Sequence, residues 1–461
     1  MEFLNRLVIP QSAENLELLR YILILALVLL LPYLAFLKGV SLYSVAFNLL
    51  GRRNGNENYL RFSKDLIDVV TFNKSIALVL GIIPILSLIL IYSQLLHASK
   101  MGVVGFMFTA GLLFVPAVVL IYSYKYTFNL DWLLSMASSS GNTPAEGVPE
   151  EPKMERSEVE AFTKSNLRVS RRSGIWGVIL LFMASYFVIS GIQLSFEPDM
   201  WSQKHTFFGL IFSMSAIYKY IFFLISTVAA TSGAILFYFF SWKKQEAEAG
   251  EAKEDRYRNE IKRFSLISGI WAVVVLPVFI LLSLFMVPHG AVSDSFFGLS
   301  LLILFILFAL GHFYYMMLKQ SGVNYSASIF FLLLIFFVLF TVNDQVAFSY
   351  ATQRHELALA SNYEAIVKEK MEKAGKGPAI SGKDIFDGRC SACHRFDRVL
   401  VGPAYKNVLP KYEGHRDQLT AFISNPTKKD PAFPPMPNQG LKPREVEAIA
   451  DYIMKTYKQY K

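Results

Sequence analysis

Residues 296–318 read FFGLSLLILFILFALGHFYYMML, a run of 23 residues without Asp, Glu, Lys or Arg. A helix of about 20 apolar residues can cross the hydrocarbon core of a bilayer. Seven more apolar stretches of this kind lie near 18–38, 75–96, 103–126, 174–195, 217–241, 266–288 and 326–343. The sequence therefore predicts an all-α, polytopic membrane domain of about eight transmembrane helices within a lipid bilayer.

The composition of the whole chain agrees with this assignment. Hydrophobic residues make up 53% of the 461 residues and charged residues 18%, whereas soluble domains contain about 25% charged residues. This excludes a disordered chain and an ordinary soluble protein. We assign the net charge of +9 to loops on the inner side of the membrane and expect no nucleic acid as partner.

The Lys and Arg residues alternate between loops. They are concentrated after the first, third and fifth spans, whereas the opposite loops, HASKMG, 196–205 and HGAVSD, contain few. Positive residues stay inside, so the basic loops are expected on the cytoplasmic side of the cytoplasmic membrane and both termini outside. No cleavage site follows the first span, which we interpret as an uncleaved anchor.

We single out three ionisable residues in or next to the spans. The stretch 206–242 exceeds one span; we interpret 206–216 as an interfacial piece and the rest as one span in which Lys219 reaches the outer interface. Asp344 is expected to be solvated at the outer end of the eighth span. His312 lies deep in the seventh span, where it is expected to bond a tyrosine or to serve a quinone or a partner subunit.

Two sequence motifs recur within the membrane domain. SGIWGV at 173–178 returns as SGIWAV at 268–273, and FFGL at 207–210 returns at 296–299. A fainter third copy covers the second and third spans. This self-similarity predicts three related helical hairpins, formed by spans 2–3, 4–5 and 6–7.

The domain boundaries follow from breaks in this pattern. Residues 138–164 are rich in Ser, Gly, Pro and Glu and are expected to be flexible, whereas 243–263 is expected to be a solvated helix. Residues 351–374 have the composition of a helix, and the glycines and Pro378 that follow are expected to end this helix. We predict a membrane domain at 1–346, a helical linker at 347–379 and a third domain at 380–461.

The third domain contains the only two cysteines, in Cys390-Ser391-Ala392-Cys393-His394. In C-x-x-C-H two thiols bond the two vinyl groups of one haem while the adjacent imidazole meets its iron, so the motif predicts one covalent haem c. A zinc site would need two further ligands nearby. A redox dithiol would need a βαβ pattern, which the flanking residues do not show.

The second axial ligand is expected downstream. Met436 lies in Pro434-Pro435-Met436-Pro437, where the prolines stiffen the loop that presents its thioether. His/Met ligation raises the reduction potential, as an electron carrier requires. His415, the competing donor, lies in a turn and is expected to be solvated. No catalytic residue is assigned.

Residues 380–461 resemble a class I cytochrome c, similar to the small bacterial c-551 type. The resemblance rests on Gly382-Lys383, Phe386, the C-x-x-C-H motif, residues 401–406 (VGPAYK) and the Pro-Met-Pro loop, followed by a helix from Lys442 to Tyr457. It covers under a fifth of the chain and does not extend to the membrane domain.

This resemblance implies further roles for residues of the domain. The first and last helices should cross near the haem at Phe386 and Tyr452. The carbonyl of Pro403 should accept the His394 imidazole N–H. Tyr405 should belong to the core or approach a propionate. In this family haem c is attached outside the cytoplasmic membrane, which agrees with the charge of the loops.

We therefore expect a one-electron transfer subunit of a respiratory or photosynthetic complex, bound to other subunits. Residues 376–461 carry 15 Lys and Arg against 9 Asp and Glu, which favours a redox carrier with an acidic face. His97, His205 and His289 fall at the outer edge, so no b haem is expected wholly within this chain. Two alternatives remain open: a self-contained quinol:cytochrome c reductase with a quinone site in the bundle, and a haem-regulated transporter or sensor.

Overall fold

The structure, a computed structural model, describes residues 11–97, 99, 102–140, 156–201, 207–242, 252–319, 324–373 and 380–460. Much of the segments 138–164 and 243–263, together with His205, lies outside these ranges. The chain divides into two compact units, Met1–Ser361 and Asn362–Lys461. The described residues form helices, turns and loops without strands, which confirms the all-α prediction.

Eight of the described helices are long and apolar enough to cross a membrane, as predicted. They are α1 Ala13–Asn54, α3 Lys74–Leu95, α4 Val103–Ser140, α5 Arg156–Ser195, α6 Met214–Trp242, α7 Ala252–Met286, α8 Asp294–Lys319 and α9 Ser326–Lys373. Helix α2, Glu57–Val70, is amphipathic. The interfacial piece at 206–216 contains a short helix, Phe207–Ile211, followed by α6. The chain is therefore a multi-pass membrane protein.

Helices α1 and α6 form the buried centre of the membrane unit, with 67% and 72% of their apolar windows buried, whereas only 28% is buried in α7 and in α8. Helices α1 and α6 approach each other closely at Gly39 of α1, because a Cβ at this position would overlap the Thr231 side chain of α6. The two glycines of the recurring motif both pack against a tyrosine, Gly174 against Tyr124 and Gly269 against Tyr314. Tyr124 belongs to the preceding hairpin and Tyr314 to the same hairpin as Gly269, so the contacts are not equivalent and the duplication stays a prediction.

Two expectations about charged residues in the membrane unit are wrong. Asp344 is 6% exposed rather than solvated, and Lys219 is 8% exposed rather than extended out of the bundle. Their side chains pair inside the bundle, with Lys219 Nζ 2.6 Å from Asp344 Oδ1. The pair is the physical reason for both differences, because each buried charge stabilises the other.

Helix α9 continues without interruption from Ser326 to Lys373. The described part of the predicted linker, up to residue 373, is therefore the same helix as the eighth span. No Gly or Pro occurs between Asp344 and Lys373, so the backbone has no local reason to leave the helix.

The second unit is a small helical domain. Its helices are α10 Gly382–Ile385, extended by a wider turn at Phe386–Cys390, then α11 Tyr405–Val408, α12 Arg416–Ser424 and α13 Pro443–Thr456. Helices α10 and α13 cross at Gly382, where a Cβ would overlap the carbonyl oxygen of Ala448. Next to the crossing, the Phe386 and Tyr452 rings lie 5.7 Å apart between centroids.

Candidate haem site

The C-x-x-C-H residues form a tight turn at the end of the first helix. The N–H groups of Cys393 and His394 both donate to the carbonyl of Cys390, at 3.1 and 2.9 Å, and the N–H of Gly402 donates to the carbonyl of Cys393 at 2.9 Å. The two cysteines do not form a disulfide with each other. Burial, with a smaller contribution from Cys393, raises the pKa of the Cys390 thiol.

The imidazole of His394 is held from two sides. Its Nδ1 lies 3.2 Å from the carbonyl oxygen of Pro403, and its ring stacks on Tyr405 with centroids 4.9 Å apart. A carbonyl oxygen can only accept, so Nδ1 carries the proton and the Nε2 lone pair is free for a metal. Burial lowers the pKa of His394, opposed by the Pro403 hydrogen bond, and this favours the neutral imidazole that iron requires.

The absence of a side chain at Gly402 lets the backbone approach this ring. A Cβ there would overlap His394 Cε1. Tyr405, expected either in the core or near a propionate, is buried and also packs against Phe386 and Phe396.

The loop that carries Met436 is tied to the first helix and to α12. Arg389 Nη1 donates to the carbonyl of Gln439 at 2.7 Å, and Asn438 Nδ2 donates to the carbonyl of Ser424 at 3.0 Å. Met436 itself is half-buried, whereas His415 is exposed at the start of α12.

Two adjoining cavities lie beside these residues, with volumes of about 360 and 80 Å³. His394 and Met436 line both of them, and both cysteines line the smaller one. The larger cavity is otherwise mainly apolar, with walls that include Leu409, Phe422, Ile423 and Phe433. This combination of two thiols, one imidazole and one thioether around an apolar cavity fits a haem attached through thioether bonds. Fold and site together define a class I cytochrome c domain.

Comparisons with known proteins agree with this class. The family model for cytochrome c matches residues 379–456. Cytochrome c-551 of Pseudomonas denitrificans is 33% identical over 78 residues, which are 95% of its length and 16% of this chain. Cytochrome c-552 of Hydrogenobacter thermophilus is 33% identical over 69 residues, 69% of its length and 14% of this chain. Through this region the chain belongs to the cytochrome c family and contains a c-551-like domain that binds haem c covalently and transfers electrons. No solved structure gives a significant match.

Two further polar residues of the membrane unit do not follow from the sequence patterns. Lys38 is the last residue of the predicted first span, 18–38, yet it is fully buried within the bundle. His355 of α9 lies beside His97, with its ring 5.1 Å from that of Trp201. For Lys38 a signal was present, since an apolar run resumes directly after it in GVSLYSVAFNLL.

Proposed function

We propose that the chain is a one-electron transfer subunit of a respiratory or photosynthetic membrane complex, with one haem c on the extracytoplasmic side. Cys390 and Cys393 would hold the haem through two thioether bonds, His394 and Met436 would ligate its iron, and Pro403 would orient the imidazole. The haem would supply an iron that can alternate between its ferric and ferrous states. The observation that carries this proposal is that His394 and Met436 line the same two cavities. The sequence has two cysteines, enough for one such haem.

A histidine on the surface of the bundle supports the assignment to a larger complex. His312 is exposed on α8. Leu301, Phe305, Phe308 and Tyr315 are exposed at helical spacing on the same face. An imidazole in contact with lipid is unfavourable. We therefore infer that another membrane subunit packs against this face.

The rim of the larger cavity supports a redox partner with an acidic face. Lys411, Lys428 and Lys429 line this cavity, with Asp430 as the acidic residue among them. Positive charge beside a haem edge attracts an acidic partner and accelerates the encounter.

The extracytoplasmic location rests on the two arguments from sequence. The basic loops favour an outside C-terminus, and the cytochrome c family attaches haem outside the cytoplasmic membrane. Eight spans between two outside termini satisfy both arguments.

Purification in a gentle detergent tests the proposal. We expect haem-bearing or iron–sulfur subunits to co-purify with the chain, and quinol to leave the isolated chain oxidised. Reduction of the isolated chain by quinol would contradict the subunit assignment and favour a self-contained reductase. His312→Leu should reduce co-purification without changing the haem spectrum, whereas Phe108→Leu, at an exposed phenylalanine of α4, should leave co-purification unchanged.

A further inference from the structure

Helix α1 carries a column of polar residues from the centre of the membrane unit to its surface. We call this set, Lys38, Ser41, Ser44, Asn48 and Arg52, the polar column. Its spacing of three or four residues places it on one side of the helix. Lys38, Ser41 and Ser44 are 0% exposed and Asn48 is 4% exposed. Polar and charged residues inside a membrane bundle are expensive and mark ion or proton pathways.

One end of the polar column is a hydrogen-bonded chain that leads to the surface. The Ser44 hydroxyl lies 3.2 Å from the Tyr124 hydroxyl, and Asn48 Nδ2 donates to that hydroxyl at 3.1 Å. Arg52 Nε donates to Asn48 Oδ1 at 2.7 Å, and Arg52 Nη2 pairs with Asp131 Oδ2 at 3.0 Å. The Arg52 side chain is 36% exposed, so this chain connects the interior with water.

Lys38 lies at the other end of the polar column, in the middle of the bundle. By the rise of an α-helix it is roughly 27 Å from Arg20 and roughly 21 Å from Arg52 along α1. Its Nζ contacts the Ser185 hydroxyl at 3.3 Å and lies 4.3 Å from the centroid of the Phe223 ring. Among the described residues no carboxylate pairs with it. A buried amine without a counter-charge is suited to gaining and losing a proton.

A second group of polar residues continues beyond Lys38. The Ser185 hydroxyl lies 3.2 Å from that of Tyr220, which also donates to the Phe182 carbonyl at 2.8 Å. Lys219 precedes Tyr220 in α6, and among the described residues no direct hydrogen bond joins the two side chains, so water would have to connect them. Lys219 Nζ contacts Asp344 Oδ1 at 2.6 Å. Towards the other surface, Arg20 of α1 pairs with Glu356 of α9.

One buried polar atom of the polar column, Ser41 Oγ, has no hydrogen-bond partner among the described residues. Buried polar groups of this kind are usually satisfied by internal water. Water at this position would bridge Lys38 and Ser44, which no direct hydrogen bond joins in the described part of the chain.

We propose that the membrane unit transfers protons along this path, with Lys38 and the Lys219–Asp344 pair as the groups that carry them. A proton entering at the Arg52 end adds to the neutral amine of Lys38, and the ammonium is stabilised by Ser185 and the surrounding rings. The proton leaves the ammonium through the Ser185 and Tyr220 hydroxyls, which restores the neutral amine, and internal water carries it to the carboxylate of Asp344. Asp344, whose side chain is 9% exposed, then releases the proton to water and returns to the carboxylate that pairs with Lys219. Each transfer moves one proton without oxidation or reduction, so the inference goes beyond the proposed electron transfer and does not depend on haem.

Proton flux into vesicles tests this inference. The full chain is reconstituted into phospholipid vesicles that contain a pH-sensitive dye, and valinomycin with a potassium gradient imposes a membrane potential. We expect the wild-type chain to change the internal pH faster than protein-free vesicles do. Lys38→Met and Asp344→Asn should be as slow as protein-free vesicles, whereas Lys64→Met, at an exposed lysine of α2, should match the wild type. A wild-type rate equal to that of protein-free vesicles, or a wild-type rate for Lys38→Met, would overturn the proposal.

Thermal unfolding separates this role from a structural one. Methionine fits the volume of Lys38 without a buried amine, so Lys38→Met should unfold at a temperature equal to or above that of the wild type. A clear decrease would show that Lys38 stabilises the bundle through its ammonium and would count against the proposal.

Discussion

At the scale of single residues, most of the haem site lies in two short segments of sequence, so its residues can be predicted from motif spacing. The spacing of the two cysteines and His394 fixes three of the proposed attachments, and the prolines around Met436 identify the fourth. The contact between Gly402 and the His394 imidazole could not be predicted from such spacing. It depends on how the chain folds back towards His394 after the motif, which is a matter of tertiary structure.

Met436→Leu should remove the thioether ligand while keeping an apolar side chain in the loop. We expect the reduction potential to fall by on the order of 0.1 V, well within the ~0.8 V over which axial ligands tune haem. Redox titration with a visible and near-infrared spectrum measures the change. Met454→Leu in α13 is the matched control and should leave the reduction potential and the spectrum unchanged. An unaltered spectrum in Met436→Leu would exclude Met436 as ligand.

The lysines on the rim of the larger cavity should control the rate of encounter with an acidic donor. Reversing two charges in Lys428→Glu/Lys429→Glu should slow reduction by the co-purifying donor roughly tenfold at low ionic strength. The difference should diminish above about 0.15 M salt because screening shortens the range of attraction. Stopped-flow absorbance gives the rates. Lys458→Glu, at an exposed lysine that does not line the cavity, should have little effect, and equal slowing by this variant would argue against a directed encounter.

At the scale of helices, length and hydrophobicity were sufficient to predict the eight spans, whereas charge pairing across the bundle was not predictable. Asp344 stands near the end of an apolar run, where a carboxylate normally meets water. Its partner Lys219 lies 125 positions earlier in the chain, and helical periodicity carries no information on such a pair. The continuity of α9 can be predicted from the sequence, because residues 326–373 contain no Gly or Pro.

The crossing of α10 and α13 gives a prediction at this scale. Gly382→Ala should push the two helices apart, because the new methyl group meets the Ala448 backbone, which cannot move aside as a flexible side chain can. Overpacking of this kind costs about 1–3 kcal/mol. Chemical unfolding followed by haem absorbance measures the free energy of unfolding of the domain. Gly388→Ala, whose methyl group would meet nothing within 4 Å, is the control; equal stability of the two variants would contradict the observed crossing.

At the scale of the whole molecule, the account predicts a haem domain on the side opposite the basic loops. A membrane-impermeant protease added to intact spheroplasts should release a haem-bearing C-terminal fragment. The loop after α6 should be cleaved only after the membrane is opened. Cleavage of that loop in intact spheroplasts, with protection of the C-terminal domain, would invert the proposed topology.

The central claim is that a single haem is covalently attached at Cys390 and Cys393 of this membrane chain. Haem-dependent peroxidase staining of a denaturing gel tests it most directly, because only covalent haem stays with the polypeptide. The wild-type band should stain, and a Cys390→Ser/Cys393→Ser variant of equal abundance should not. A wild-type band without stain, or a stained band in the double variant, would contradict the account.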